Sequence, residues 1–236
     1  MGKSKELRLE VNRRFSKSER PEEIYQAMYN VLATLPPPWG LKGIPIKKIP
    51  KYDGDFSFNV SYTKQEKISP IKSFDISFMN RNRRDEPTDE PINDDRIIID
   101  FHPKKIKEQW RYLMEVVFPT YIKASNPYLA TIFDGDIYIS DIGALNLDTG
   151  EYQYNQDYID IRKGIYRIWQ ANYWDRELCH RAFKLTPEEV VQRLSGKVAD
   201  CRVYENGVLL IYSFEPLLGD EILKINDELM PILRNC

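Results

Sequence analysis

Asp134, Asp136 and Asp141 lie close together in the sequence, and three carboxylates in such a group have the chemistry to chelate a hard divalent cation, as a metal-dependent hydrolase requires. Asp134-Gly135-Asp136 is also ordinary turn chemistry, and the oxygen donors do not recur at the spacing of a calcium loop. His102 and His180 are far apart and no Cys-x-x-Cys or His-x-x-x-His pair accompanies them, so the chain lacks a zinc pattern. Cys179 and His180 are adjacent in a predicted helix, where neighbours point to different faces and share a proton poorly. There is no Gly-x-Ser-x-Gly elbow and no glycine-rich phosphate loop. The expectation is a protein with no cofactor and no catalytic residues. The alternative is a small metal-dependent hydrolase using the aspartate group.

Two other features point to binding. Asp85, Glu86, Asp89, Glu90, Asp94 and Asp95 come after Arg81, Arg83 and Arg84 and are interrupted by Pro87 and Pro91. The pattern predicts an exposed, mobile, charge-segregated loop, either a solvated surface or a steering element for a basic partner. The chain is also rich in aromatics, with 15 Tyr and 4 Trp. Trp110 and Trp169 fall on predicted core faces. Trp39, Tyr152, Tyr154 and Trp174 fall on or beside predicted loops, where an aromatic either packs into the core or anchors an interface.

Composition sets the class. Hydrophobic residues make up 42% and charged residues 30%, which are globular values, and Lys+Arg 34 against Asp+Glu 36 leaves a net charge of -2. That balance gives no global bias toward nucleic acid or membrane. Three cysteines at no metal-like spacing read as reduced thiols of a cytoplasmic protein. The basic N-terminus runs into charged residues without an apolar core, so it does not read as a secretory signal, and no apolar run reaches membrane-spanning length.

The elements that must position these residues are legible from periodicity. Leu7, Leu9 and Val11 alternate with charged residues and predict a half-buried strand. Pro21 opens a helix with Ile24, Met28, Val31 and Leu35 on one face. Strands are expected at Phe56 to Tyr62, Ile71 to Met79 and around Ile97-Ile98-Ile99, and a long amphipathic helix from Ile106 to Ala124 with a bend near Pro119. Tyr128 to Phe133, Ile137 to Ile142 and Ile165 to Tyr173 also read as strands, the first two joined by the Asp-Gly-Asp turn.

Thr186-Pro187-Glu188-Glu189 is a capping box opening a helix to Leu194. Asn206-Gly207 predicts a type I′ hairpin turn pairing Tyr204 with Leu209 and Val203 with Leu210. Val208-Leu209-Leu210-Ile211, apolar at every position, predicts a strand covered on both faces. A closing helix from Asp220 buries Ile222, Ile225, Leu229 and Ile232 or Leu233, with a kink or stop expected near Met230 ahead of Pro231. Strands in runs with helices between them predict a single α+β domain over residues 1–236, a largely antiparallel sheet with amphipathic helices packed on it.

From Gly164 onward, the order GIYRIW…NYWD, a helical pair ending LTPEEVVQRL, the hairpin VYENGVLLIYS and then EPLLGDEILKINDELMPIL resembles the immunity proteins of bacterial toxin systems, most like immunity protein family 52. The SNPYLATI segment is similar too. The resemblance implies a small cytoplasmic α+β protein that binds and neutralises a cognate toxin, typically a restriction-endonuclease-like nuclease and often a type VI secretion effector. It implies no nucleic-acid or membrane partner of its own. Under it, Asp85, Glu86, Asp89, Glu90, Asp94 and Asp95 would steer the protein toward a basic nuclease surface. Trp39, Tyr152, Tyr154 and Trp174 would serve as anchors.

Overall fold

Leu7–Arg13 form the first strand, β1, which lies at the middle of the sheet and pairs on both sides. A computed structural model describes residues 6–16, 18–49, 57–63, 70–79, 94–145, 152–154 and 161–234, with backbone alone at 142–145 and 152–154. After β1 come α1 (Pro21–Leu32), β2 (Phe58–Tyr62), β3 (Ile71–Phe78) and β4 (Asp95–Phe101). Helical chain then runs through α2 (Trp110–Tyr112), a π-helical turn (Leu113–Val117) and α3 (Phe118–Ser125). The second half contains β5 (Leu129–Asp134), α4 (Gly135–Ile142), the short pair β6 (Gly143–Leu145) and β7 (Tyr152–Tyr154), and β8 (Ala171–Asp175). It closes with α5 (Arg176–Phe183), α6 (Pro187–Leu194), β9 (Asp200–Tyr204), β10 (Gly207–Ile211) and α7 (Asp220–Arg234).

Eight strands form one sheet in the order β2-β3-β4-β1-β5-β8-β10-β9, every pairing antiparallel. The fold is α+β, an antiparallel sheet with helices packed on it. β1 joins the halves, pairing with β4 on one side and β5 on the other, Leu9 opposite Ile99 and Ile132.

The helices are distributed unevenly. One face of the sheet is covered across almost its whole width. Leu9, Phe74, Ile99, Ile132, Tyr173 and Leu209 from six strands share one core with Met28 of α1 and Phe118 and Ile122 of α3. Among the described residues the opposite face is covered by helices over the second half, where Trp174, Val208 and Leu210 pack with residues of α5, α6 and α7, and Phe133 packs with Ile137 of α4 and Ile222 of α7. Three layers at one end therefore become two at the other.

Several local expectations shift, each for an identifiable reason. α1 buries Met28 as expected, with Leu35 beyond the helix also buried and Ile24 packed against the core, but the face includes Tyr25 and Leu32 in place of Val31, and the Tyr25 hydroxyl bonds that of Tyr62 at 2.7 Å inside the core. The middle helix changes ladder before Pro119: without an N–H, Pro119 cannot bond the carbonyl of Glu115, and the preceding turn is π-helical. Ile137 to Ile142 belong to α4 rather than to a strand. Asp134 accepts hydrogen bonds from the backbone N–H of Asp136 (3.0 Å) and Ile137 (3.3 Å), so the Asp-Gly-Asp motif caps a helix instead of turning a hairpin.

The stretch from Ile165 to Gln170 is irregular and the strand begins only at Ala171. The β9-β10 turn occupies Glu205-Asn206, one residue earlier than expected, so Tyr204 faces Gly207 and Val203 faces Val208. Glu205 takes the left-handed conformation (φ 48°), while Gly207 answers a different need: a Cβ there would lie 2.1 Å from the Trp174 carbonyl oxygen on β8. α7 continues through Pro231 to Arg234, and Asp227, whose carbonyl loses its helical donor, is exposed to water. The capping box of α6 and the full burial of β10 are as expected.

Candidate partner-binding surface

Where the second helical layer stops, the sheet presents side chains to solvent. On β1 to β4 the residues alternate: Leu9, Ile97, Ile76 and Val60 point into the core, and their neighbours point the other way. That second set is Asn59 and Ser61 on β2, Ser73, Asp75 and Ser77 on β3, Arg96, Ile98 and Asp100 on β4, and Arg8, Glu10 and Asn12 on β1. Asn59 and Ser61 are exposed and the β3 and β4 members half-buried.

Cross-strand bonds hold this face in order. Arg8 grips Asp100 with Nε at 2.8 Å and Nη2 at 3.2 Å, and the Ser73 hydroxyl donates to the same carboxylate at 3.0 Å. Asp75 accepts from Asn59 Nδ2 at 3.2 Å and from the Ser61 hydroxyl at 2.5 Å, and among the described residues no cation pairs with it. The surface is held by cross-strand hydrogen bonds and carries in Asp75 a carboxylate that forms no ion pair among the described residues.

At its inner edge the open face meets the second layer, and a cavity of about 30 Å³ forms there. Glu10, Asn12 and Thr131 line it from the sheet, Tyr138 from α4, and Tyr166, Arg167 and Trp169 from the irregular segment before β8, with Phe133 and Trp174 also in the wall. Side chains pin that segment where hydrogen-bonded strands cannot. Asn172 accepts from the Trp169 N–H at 3.0 Å and donates to the Trp169 carbonyl at 2.6 Å. Asn226 accepts from the Ile168 N–H at 3.1 Å, and Arg234 and Arg181 donate to the carbonyls of Ile165 and Arg162. The wall is irregular in conformation and fixed in position.

The sequence-predicted residues scatter. Asp94 lies just before β4 and Asp95 begins it, and both are buried, against the expectation of an exposed loop through Asp95. Asp94 is ion-paired with Arg162 and accepts from the Tyr128 hydroxyl at 2.5 Å. Burial pushes its carboxyl up from the ordinary value, and the Arg162 and Tyr128 hydrogen bonds work against that push. Asp95 pairs with Arg13 at 3.3 Å and accepts from the Met79 N–H at 3.1 Å. Both carboxylates are consumed in joining strands and halves.

Trp39 and Trp174 are core residues. Trp39 packs edge-on to Phe101 and its indole N–H donates to Gln109 at 2.7 Å, because the proline-rich segment after α1 folds back over the first core. Trp174 lies on β8 under α5, edge-on to Phe183. The backbone of Tyr152 and Tyr154 forms β7, paired with β6; their side chains lie outside the described residues. Asp85, Glu86, Asp89 and Glu90 also lie outside the described residues.

The aspartates of the hydrolase alternative are employed separately, Asp134 in the cap of α4 and Asp141 in an ion pair with Arg167. Among the described residues no group of three or more His, Cys, Asp or Glu is arranged to hold a metal ion. Burial pushes the Cys179 and Cys201 thiols up to about 12, which leaves them protonated and unreactive at neutral pH. No helix among the described residues is long and apolar enough to cross a membrane.

Neither Glu10 nor Asn12 stands out in the sequence, where both occupy the polar positions of an alternating strand. Their signal is that β1 is central, which becomes visible only once β4 and β5 are paired with it.

No family model matches the chain, and no curated protein matches it. Among solved structures, the Pseudomonas aeruginosa T6SS protein PA0821 is similar, with a TM-score of 0.50 and 12% identity over 88% of this chain and 69% of that one. The likeness is one of fold. It spans both halves of the sheet rather than a local motif.

Proposed function

We propose that this protein is an immunity protein: it binds a cognate bacterial toxin, a nuclease of type VI secretion, and neutralises it by contact without transforming a substrate. The observation that carries the reading is the open polar face of β1 to β4. It is hydrogen-bonded from strand to strand, and among the described residues no helix packs on it, whereas the rest of the sheet is layered with helices. The resemblance of the second half to toxin immunity proteins supports it, and so does the fold shared with a T6SS protein.

The chemistry of the face suits a nuclease. A surface that grips nucleic-acid phosphates must be basic, and Asp75 with the Glu10 carboxylate offers acidic groups that form no ion pair among the described residues. The acidic stretch Asp85, Glu86, Asp89 and Glu90 adds long-range attraction.

The test is co-expression with the product of the adjoining gene, then co-purification and a toxicity rescue assay. Rescue by the wild-type chain together with a stable complex is expected. A chain that neither binds nor rescues removes the reading, as does turnover of a substrate by the purified chain alone. Reversing the charges of Asp85, Glu86, Asp89 and Glu90 is expected to slow association and alter its salt dependence; unchanged kinetics would remove that stretch from the account.

A further inference from the structure

Resting on that reading of the chain as a protein-binding module, we propose that the cavity at the inner edge of the open face is an anchor site for one basic side chain of the partner, a lysine ammonium or an arginine guanidinium.

The polar groups in the cavity ask for a cation. Glu10 is 9% exposed, and among the described residues it forms no hydrogen bond or ion pair. Arg8, on the same strand, feels the Glu10 charge, but its guanidinium is bound to Asp100. Asn12 is 2% exposed, and its Oδ1 has no hydrogen-bond partner among the described residues. Thr131 adds a hydroxyl beside them. The Glu10 carboxylate keeps contact with water at the cavity while the Asn12 amide oxygen beside it is buried, and a cation with several donors can meet both at once. The indole N–H of Trp174 also has no partner among the described residues and is a donor that a cation cannot use; a single water is enough for it.

The walls suit the same guest. Phe133 and Tyr138 lie 4.8 Å apart between centroids, Phe133 and Trp169 5.6 Å, Tyr166 and Trp169 6.3 Å, and Tyr138 and Tyr166 6.5 Å. These four rings form a continuous aromatic wall, and ring faces attract cations. Arg167 already exploits this, standing 5.5 Å over Trp169, but its charge is taken by Asp141 and leaves Glu10 unanswered.

Size decides between a side chain and a free ligand. About 30 Å³ accepts the tip of a side chain, whereas sites for cofactors and metabolites are typically about 300–1,000 Å³. The cavity also borders the polar face, so a partner lying there can insert one residue while its backbone stays on the surface.

The probes are N-acetyl-lysine-N-methylamide and N-acetyl-arginine-N-methylamide, with the norleucine analogue as the uncharged control. They are titrated against the full chain while the indole N–H resonances of Trp169 and Trp174 are monitored by NMR. A saturable shift with a cationic probe and none with norleucine is expected. Glu10→Gln should weaken it about tenfold or more, the loss of one charge-assisted bond. Asn12→Asp should strengthen it, and opposite effects from two near-isosteric changes cannot both come from misfolding.

Equal binding of norleucine, no shift with either cation, or an unchanged Glu10→Gln titration would overturn the anchor. With a neutralised toxin in hand, a Glu10→Gln chain that binds it as tightly as wild type overturns the anchor alone. Cation binding by a chain that rescues no toxin supports the cavity's chemistry and overturns the immunity reading.

Discussion

β1 to β4 and the strands β5, β8 and β10 belong to one sheet and share one core on one face, yet they differ on the other. In the first half that face is polar, buried at Glu10 and Asn12 of β1 and exposed or half-buried on β2 to β4, with no helix on it among the described residues. In the second half it is apolar, under α5, α6 and α7. The difference is written in residue period: Ile97, Ile98, Ile99 and Asp100 of β4 alternate between buried and half-buried, whereas every residue of β5 and β10 is buried. One half of the molecule devotes its sheet to stability, and the other keeps a hydrogen-bonding surface free.

The tie between the halves carries the largest expected effect. Asp94, before β4, and Arg162, in the second half, are 0% and 7% exposed as side chains, so Asp94→Ala removes the counter-charge of a buried guanidinium. A loss of about 3–5 kcal/mol is expected in chemical denaturation. The double variant Asp94→Leu with Arg162→Met should recover most of it, since the ion pair is costly to bury as well as costly to break. If the single variant costs under about 1 kcal/mol, the halves are held by the sheet alone.

Next comes the layered half itself. Leu210→Ala on β10 removes a fully buried side chain between β8 and β9 and should cost about 2–5 kcal/mol. Ile98→Ala on β4, half-buried on the open face, should cost distinctly less. Equal losses would mean that the open face is covered in solution.

A smaller effect separates local from tertiary signals. Thr186→Ala removes the hydroxyl that accepts from the Glu189 N–H at 3.3 Å and should cost about 1 kcal/mol. The Glu189 carboxylate reaches back to the Thr186 N–H at 2.7 Å, and that bond holds its carboxyl below the ordinary 4.5. A depressed folded value means that the capping contribution is present above the unfolded pKa and is lost as pH falls through the folded one. Carboxyl NMR should therefore place the Glu189 midpoint below 4.5 in the native protein. A midpoint at or above the ordinary value would contradict the capping geometry.

That contrast explains what the sequence made legible. The capping box, the burial of β10 and the apolar face of α7 are encoded in adjacent or near-adjacent residues and were readable. Asp-Gly-Asp was not, because a helix cap and a turn use the same local chemistry, and only the entry into α4 distinguishes them. The hairpin turn slipped by one residue because Gly207 is required by the approach of Trp174, a contact distant in sequence. The cavity was illegible for the same kind of reason. Period-two alternation says which residues share a face of β1, but what covers Glu10 is decided by α4 and the segment before β8. Trp39 and Trp174 sat beside predicted loops, and long-range packing placed both in the core.

The smallest expected effect on stability is the sharpest for function. Asp75 stands on the open face, held by Asn59 and Ser61 and opposed by no cation among the described residues. Asp75→Lys should cost about 1 kcal/mol or less in unfolding, because the two hydrogen bonds it removes are partly solvated. The same substitution places a positive charge where a basic partner surface would land, and like charges there should raise the dissociation constant of the toxin complex by about tenfold or more. Wild-type affinity in Asp75→Lys, with the fold intact, would move the contact off this face and leave its order to be explained by the sheet alone. A lost complex with the fold intact would show that the half of the sheet contributing least to stability is the half that meets the partner.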